Sequence, residues 1–252
     1  YIASHPTLHY KQIKKALKNG KHVICESPVA LSGEECDELY EIAGKSGLIL
    51  MDAIKTAYST AYARMLLLIE SGAIGKVVSV DATCTSLRVN ENGDPDYYKT
   101  NWNSSCDWGP NAILPVFQLL GTKYKDIRII SSFADEDKDY DLFSKFDFTY
   151  DSAVATVKVG KGVKSEGELV VSGTKGYVYV PAPWWKTDYF EIRYENPADK
   201  KRYFYQLNGE GIRYEIVAFI KAIESGRVLD MIPREVSRAI CEVVSSKNRI
   251  EI

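Results

Sequence analysis

Short apolar runs alternate with amphipathic segments over the first 53 residues. The runs lie at residues 1–3, 22–25 and 48–51, and each is too short to be anything but a strand. Between them, residues 7–20 and 32–47 space their apolar side chains by three or four positions, which is typical of a helix with one buried face. The order predicts β-α-β-α-β, and such connections imply a parallel sheet covered by helices.

The ends of the two predicted helices carry recognisable signals. Thr7 can cap the first helix, and Ser32 with Glu35 has the spacing of a capping box at the start of the second. Gly20 and Gly47 stand where these helices are expected to end.

After residue 53 the spacing of apolar residues changes. "KVVSVDATCTSL" alternates apolar and polar residues, as a half-exposed strand does, and several further strands separated by turn signals follow between residues 126 and 207. This pattern predicts an α+β unit with a large, mostly antiparallel sheet that has helices on one face. We therefore expect two domains, residues 1–57 and residues 58–252. The predicted helices of the second domain span about 60–71, 110–120, 211–225 and 233–246, and a loop spans 90–105.

Composition narrows the class of protein. Hydrophobic residues make up 45%, charged residues 26%, and the net charge is −2, without clusters of Lys and Arg. We therefore expect neither nucleic acid nor a membrane as partner, since no apolar run approaches the ~20 residues of a membrane span. The five cysteines are widely spaced, which favours buried thiols over a disulfide framework or a metal site, and so a reducing, cytoplasmic compartment.

Four segments together resemble one protein family. They are "YIASHPTLHYKQIKKALKNGKHVICESPVAL", "LIESGAIGKVVSV", "SGTKGYVYV" and "EIVAFIKAIESG", and they resemble glucose–fructose oxidoreductase/inositol dehydrogenase (Gfo/Idh/MocA) proteins. The resemblance implies oxidation or reduction of a sugar-like hydroxyl or ketone with NAD or NADP. It also implies that residues 1–57 are the C-terminal half of a Rossmann-like dinucleotide-binding domain, and that residues 58–252 bind substrate and support oligomerisation.

The turn after the strand at 22–25 departs from the family pattern. The family places a lysine between an acidic residue and a proline, beside the nicotinamide, and here that position is Ser27. A serine hydroxyl is not ionised near neutral pH, so it cannot replace an ammonium group. Alternatively, this segment is only a strand-to-helix turn. The resemblance implies these cofactor-binding candidates: Ser4, His9, Glu26, Ser27 and Pro28.

A second departure lies in "CDWGPNAILPVFQLLG". Many family members carry Asp and His four residues apart here, on one helix face, with the His as acid/base. This chain keeps Asp107 but has Asn111 in place of the His, and an amide has no titrating proton near neutral pH. Trp108 and Asn111 are substrate-binding candidates. An ordinary helix start, with Pro110 in the first turn, remains the alternative.

Possible replacements for the missing proton-handling groups lie close by. "MDAIKTAYSTAY" places Asp52, Lys55 and Tyr58 just beyond a strand end, and Lys55 could enter the site. Trp184 could stack on a sugar ring, although a core or interface role suits adjacent tryptophans as well. The predicted catalytic set is therefore Asp107, Asn111, Lys55 and Ser27, with Tyr58 and Trp184 added to the substrate-binding candidates; a solvated role for Lys55 is the alternative.

The G-x-G-x-x-G element of a dinucleotide-binding fold is not found in these 252 residues. The nearest match, "GKGVKS" at 160–165, follows a meander strand and opens no helix, so it is interpreted as a hairpin turn. The three N-terminal strands correspond to the last three of six. The expectation is a truncated form that is unable to bind NAD or NADP. A non-catalytic carbohydrate-binding or scaffold homologue is the alternative hypothesis.

The strands between 126 and 207 predict an assembly. One sheet face should be covered by the chain's own helices, and the other should expose alternate residues of "SAVATVKV", "GELVVSG" and "YFEIRYE", with aromatic and aliphatic side chains among them. Large apolar patches are unusual on monomers. We therefore expect a homodimer through this face, with an interface above ~1,000 Å².

Overall fold

The computed structural model describes residues 1–88, 90, 92, 94, 96–134, 136–227 and 231–252. The helices are α1 (Pro6–Lys18), α2 (Gly33–Lys45), α3 (Thr60–Glu70), α4 (Tyr97–Thr100), α5 (Ser104–Leu120), α6 (Ile212–Ser225) and α7 (Arg234–Val244). The strands are β1 (Val23–Glu26), β2 (Leu50–Ala53), β3 (Val77–Thr85), β4 (Asp126–Phe133), β5 (Asp141–Thr149), β6 (Val154–Gly160), β7 (Leu169–Gly173), β8 (Tyr177–Val180), β9 (Tyr189–Arg193), β10 (Lys201–Phe204) and β11 (Ile250–Glu251). Short 3₁₀ turns include Lys55–Tyr58 and Trp184–Lys186.

The N-terminal part forms the predicted parallel arrangement. β1 pairs in parallel with β2, and Ile2 makes a parallel bridge to Cys25 on the other side of β1. Cys25 and Leu50 pack into a core with α1 and α2, whereas Ile24 and Met51 join the core of the larger sheet. Both faces of the small sheet are therefore buried, which explains why its strands are almost wholly apolar.

Local signals located most of these elements, with two corrections. The Ser32 hydroxyl accepts a hydrogen bond from the Glu35 amide at 3.1 Å, as the capping box predicts. Thr7 does not cap α1, because the helix begins at Pro6, whose missing N–H costs nothing in a first turn. β2 starts two residues later than predicted, because the Leu48 amide still donates to Ala43 at the end of α2.

The second part is a nine-stranded sheet in the order β10-β9-β8-β7-β3-β6-β5-β4-β11. Its pairs are antiparallel except for β3 with β6 and β4 with β11. α5 packs on β3, β5 and β6 and α7 packs on α5, so one face of the sheet is covered. This confirms the α+β architecture.

The outer face of this sheet differs in composition from the prediction. In β6 the aliphatic Val157 and Val159 are buried, while Thr156 and Lys158 occupy the alternate positions. Glu191 likewise alternates with the buried Phe190 and is surrounded by basic side chains. The aliphatic residues face the core, so the outer face is charged and aromatic rather than mainly apolar.

α5 is longer than predicted, and this determines the geometry of the site. It begins six residues earlier because the Asn103 side chain accepts the Cys106 amide at 2.9 Å, and it continues through Pro110. The alternative with Pro110 in the first turn is wrong. Asp107 and Asn111 consequently lie one turn apart on the same helix.

The burial of the cysteines agrees with the prediction made from their spacing. All five cysteines are buried and unpaired, as expected for core thiols. Within the described part of the chain, no helix combines the length and the apolar character needed to cross a membrane.

Candidate functional site

A cavity of about 270 Å³ lies where the carboxyl ends of β1 and β2 meet α5. The carboxyl ends of parallel strands are the usual ligand-binding edge of open α/β sheets. Six of the predicted site residues line the cavity: Glu26, Ser27, Lys55, Asp107, Trp108 and Asn111. Four lining residues that were not among the predicted site residues join them: Arg88, Trp102, Trp185 and Lys186.

Asp107 is held by a buried cation. The Lys161 ammonium lies 2.9 Å from its carboxylate and also donates to the Trp102 carbonyl at 2.6 Å. Arg88 approaches the same carboxylate to 4.0 Å. Lys161 is only 4% exposed, and it belongs to the "GKGVKS" segment that was interpreted as a turn. A lysine between two glycines gives no local signal of such a contact.

Asn111 is oriented by its surroundings. Its side-chain oxygen accepts a hydrogen bond from the Thr56 hydroxyl at 3.0 Å, and Thr56 also lies 3.2 Å from the Trp185 carbonyl. With the oxygen engaged, the NH₂ group is the part of Asn111 that can donate to a ligand.

Two tryptophans form an aromatic wall. The Trp108 and Trp185 rings lie 4.9 Å apart at 55°, and both residues are partly exposed and line the cavity. Trp184, the predicted substrate contact, is instead buried, and it donates to the Thr83 carbonyl at 3.1 Å. Tyr58 is also buried, with its hydroxyl 3.3 Å from the Asp52 carbonyl. Both contribute to the core beside the site rather than to its lining.

The remaining cofactor-binding candidates shape the loop behind the cavity. His9 is fully buried, and its two ring nitrogens each lie 2.8 Å from a carbonyl oxygen, those of Pro28 and Ser4. The Ser4 hydroxyl donates to Gln12 at 2.7 Å. These contacts join the turn after β1 to the turn after Ile2 and place Ser27 at the cavity wall.

Buried polar groups without partners occur beside the cavity. The Ser27 hydroxyl and both carboxylate oxygens of Asp52 make no hydrogen bond of good geometry within the described structure, and Asp52 is 2% exposed. Burial raises the pKa of Asp52 to about 7, against the opposing effect of the nearby Ser237 and Ser27 hydroxyls. Such a group can exchange a proton near neutral pH.

Glu215 of α6 is a second buried carboxyl group near the site. It is 1% exposed, and one of its oxygens has no partner within the described structure. Burial, and then the charge of Glu26, raises its pKa to about 8, while Lys55 opposes the shift. Nothing in the sequence around Glu215 indicates this position.

A larger cavity of about 790 Å³ lies on the other side of Trp102. Charged side chains on its walls neutralise one another, as in the pairs Lys138–Glu251 and Lys247–Asp139. Ser27, Asp107 and Asn111 do not line it, so we assign the site to the smaller cavity.

Known proteins match both the sequence and the fold. Residues 1–53 match the family model of the Gfo/Idh/MocA oxidoreductases, described as an oxidoreductase family with an NAD-binding Rossmann fold. The scyllo-inositol 2-dehydrogenase (NADP(+)) IolU of Bacillus subtilis is 41% identical over 58 residues, which is 23% of this chain and 18% of that protein. The matched segments span 18–34% of the length of the first curated relatives.

Two solved structures share the fold along almost the whole chain. KijD10, a 3-ketoreductase from Actinomadura kijaniata in complex with NADP and TDP-benzene, has a TM-score of 0.85 at 18% identity and covers 100% of this chain and 78% of its own. A levoglucosan dehydrogenase in complex with NADH and levoglucosan has a TM-score of 0.82 at 20% identity, with coverages of 96% and 74%. The similarity to the Gfo/Idh/MocA oxidoreductase family thus rests on the model match over residues 1–53 and on short matched segments, and the solved structures extend the likeness in fold along almost the whole chain.

Proposed function

We propose that the protein is an NAD(P)-dependent oxidoreductase acting on a hydroxyl or ketone of a sugar-like substrate. The observation that carries this proposal is the convergence of four distant segments on one cavity. Polar or aromatic side chains of its wall come from the turn after β1, the turn after β2, the start of α5 and the turn at 184–186. KijD10 and levoglucosan dehydrogenase, which share the fold, act on substrates of this class.

The cavity fits the nicotinamide end of the cofactor. The Ser27 hydroxyl lines the cavity at the carboxyl end of β1 and has no good partner within the described structure, so a ligand can satisfy it. Glu26 and Ser27 would lie beside the nicotinamide, which supplies hydride transfer when it is bound. The 252 residues contain no G-x-G-x-x-G element for the pyrophosphate. We therefore propose that this chain by itself binds NAD and NADP weakly.

Five side chains of the cavity have roles in holding the substrate. The Asn111 NH₂ group donates to a substrate oxygen, and the Asp107 carboxylate, fixed by Lys161, accepts from a neighbouring hydroxyl. Trp108 and Trp185 cover the apolar face of the ring and exclude water. Lys55 adds positive charge where the substrate oxygen becomes negative.

Tryptophan fluorescence tests this assignment without the cofactor. Cyclic polyols and anhydrosugars that bind the cavity should change the emission of Trp108 and Trp185. Asn111→Ala should weaken that binding by about tenfold, because one hydrogen bond to a ligand is lost. Asn248→Ala, a substitution outside the cavity lining, is the matched control. Equal affinities in the Asn111 and Asn248 variants would contradict the site.

Calorimetry tests the cofactor proposal separately. The 252-residue chain should give no titration curve with NADP⁺ or NADH at micromolar concentrations, because the pyrophosphate-binding turn is not among its residues. Micromolar affinity for either dinucleotide would contradict the proposal.

A non-catalytic binding or scaffold protein is the second candidate, and one observation favours it. α6 exposes five aliphatic side chains along one stripe, and such surfaces commonly mark protein contacts. This candidate would be supported if the wild-type protein shows no turnover and if Ile216→Asp or Ile220→Asp changes the mass of the protein in solution. The stripe consists of Ile212, Ile216, Val217, Ile220 and Ile223.

The two-domain division, the assembly and the location of the protein are further proposals. We keep residues 1–57 and 58–252 as the cofactor-side and substrate-side domains, and propose a cytoplasmic homodimer through the outer face of the nine-stranded sheet. Exposed Val154 and Tyr177 on strands of that sheet support the interface. Light scattering should give the dimer mass at micromolar concentration, and a monomer mass would contradict it.

A further inference from the structure

Ser27 and Asp52 are neighbours across the two parallel strands that end at the cavity. Asp52 pairs with Cys25 in the β1–β2 register, and Ser27 follows Cys25 by two residues. Ser27 lies directly after the end of β1, and its hydroxyl is one of two hydroxyls that act on the Asp52 carboxyl group. Ser27 lines the cavity, whereas Asp52 lies behind it.

The two side chains lack the hydrogen bonds that buried polar groups normally make. The Ser27 hydroxyl and both Asp52 oxygens are unpartnered, although Ser27 and Asp52 are 6% and 2% exposed. A buried carboxyl group without hydrogen bonds destabilises the folded protein. A hydroxyl can accept from a ligand in the cavity and donate to Asp52 at the same time.

No cation neutralises Asp52 within the described structure. Burial is the largest influence on its pKa, and the like charge of Glu26 raises that pKa further. The titratable groups around Asp52 come from five elements: Cys25 and Glu26 of β1, Tyr40 of α2, Tyr58 of the 3₁₀ turn, Glu215 of α6 and Cys241 of α7.

We propose that Ser27 and Asp52 form a proton relay, in which Ser27 exchanges a proton with the substrate oxygen and Asp52 holds that proton inside the protein. This inference rests on the proposed oxidoreductase function. In the direction of oxidation the substrate O–H bond breaks and its proton bonds to the Ser27 oxygen. The original Ser27 proton passes to an Asp52 carboxylate oxygen. A bound oxidised nicotinamide would accept the hydride from the carbon that carries this oxygen, so that charge and electrons balance. In the direction of reduction, the same proton transfers occur in the reverse order.

Together, Ser27 and Asp52 can exchange a proton with the substrate, a task that one titrating side chain would otherwise perform. The serine has access to the cavity but no titration near neutral pH, while the buried aspartate titrates there but has no access. Asp52 acts through Ser27 and is therefore a positioning and proton-storing residue, not one that touches substrate.

Carboxyl NMR of protein labelled in its aspartate side chains tests the contact directly. One resonance should titrate with a midpoint of about 7 and be missing from Asp52→Asn. Ser27→Ala should move that midpoint upwards by about half a unit or more, because the ionised form loses a donor. Ser237→Ala removes the other hydroxyl beside Asp52, on the side of α7, and is the matched control. An Asp52 midpoint that does not respond to Ser27→Ala would overturn the relay.

Turnover with scyllo-inositol or levoglucosan provides the second readout, with NADP⁺ supplied at millimolar concentration because this chain is proposed to bind it weakly. Both Ser27→Ala and Asp52→Asn should lower the oxidation rate by about 10²-fold and remove the rise in rate around neutral pH. Ser237→Ala should shift that rise but keep it. If the wild-type protein is active and Ser27→Ala and Asp52→Asn keep its pH profile, the relay is wrong but the proposed function stands. A wild-type protein without turnover on any sugar-like alcohol would contradict the proposed function, and the relay with it.

Discussion

Buried carboxyl groups occur in two regions of this molecule, and their surroundings are opposite. In the nine-stranded sheet, Asp141 is 1% exposed and accepts hydrogen bonds from the Ser105 amide, the Ser105 hydroxyl and the Ser144 hydroxyl. Arg249 lies 3.7 Å away and donates to the same serines. At the cavity, Asp52 has a similar burial but no comparable donor.

Glu191 and Glu215 repeat this contrast. Burial alone would raise the pKa of Glu191, but hydrogen bonds from Tyr189, Arg193 and Arg202 outweigh it and bring the pKa to about 2. For Glu215 burial dominates, and the pKa is about 8. Burial by itself therefore does not identify a functional carboxyl group. The difference lies in whether the fold supplies donors to the charged form.

Removing Asp141 should produce the largest loss of stability. Asp141→Ala leaves the buried Arg249 guanidinium without its carboxylate, which should cost about 3–5 kcal/mol in the free energy of unfolding. Urea denaturation followed by circular dichroism measures this loss. Asp139→Ala, at an exposed pair with Lys247, is the control and should change stability by less than about 1 kcal/mol. Equal losses of stability in Asp141→Ala and Asp139→Ala would contradict the claim that the buried pair is the stabilising one.

Asp52→Asn should stabilise the protein, in contrast to Asp141→Ala. The folded-state pKa of Asp52 is raised from 3.8 to about 7, so the wild type loses stability as the pH rises through this window. Asp52→Asn avoids this loss. The difference in the free energy of unfolding between the variant and the wild type should therefore grow from about pH 4 to pH 7 and reach about 1–3 kcal/mol above pH 7. Thermal unfolding at several pH values measures the trend. A variant that is less stable than the wild type at pH 8 would contradict the account of an unneutralised carboxyl group.

Glu191→Gln should have the smallest of the three effects and the reverse pH dependence. The pKa of Glu191 is lowered from 4.5 to about 2, so its contribution is present above pH 4.5 and is lost as the pH falls towards 2. The expected loss at neutral pH is about 1–2 kcal/mol, because its basic partners are partly exposed. Lys145→Gln, at a half-exposed pair with Asp147, is the control. A stability difference that persists unchanged down to pH 3 would contradict the assignment.

Local signals in the sequence predicted most of the fold. The Ser32 cap and the glycines at helix ends located the N-terminal elements, and the alternation after residue 76 located β3. The start of α5 was missed because Asn103 lies in a polar stretch that is typical of a loop, and Pro110 looked like a first-turn residue. The four-residue spacing of Asp107 and Asn111 nevertheless predicted their common helix face.

The contacts within the site could be predicted only in part. The turn after β1 and the start of α5 carry recognisable motifs, so Ser27, Asp107 and Asn111 could be predicted as candidates, and all three line the cavity. Lys161 lies at a strand end more than 50 residues from Asp107 in the sequence, and no local sequence pattern predicts a contact over that separation. Trp185 rather than Trp184 lines the cavity because the 3₁₀ turn at Trp184–Lys186 turns one ring inward and the next outward. Within the described structure, the lack of a cation or a well-formed hydrogen bond at Asp52 is likewise a property of the packing and not of the sequence around it.

Carboxyl NMR titration of the wild-type protein, with aspartate and glutamate side chains labelled, is the most direct test of the contrast between the two regions. We predict one aspartate with a midpoint of about 7 and one glutamate of about 8, which disappear in Asp52→Asn and Glu215→Gln respectively, and a glutamate of about 2 that disappears in Glu191→Gln. Titration of every aspartate and glutamate below about pH 5 would contradict the account.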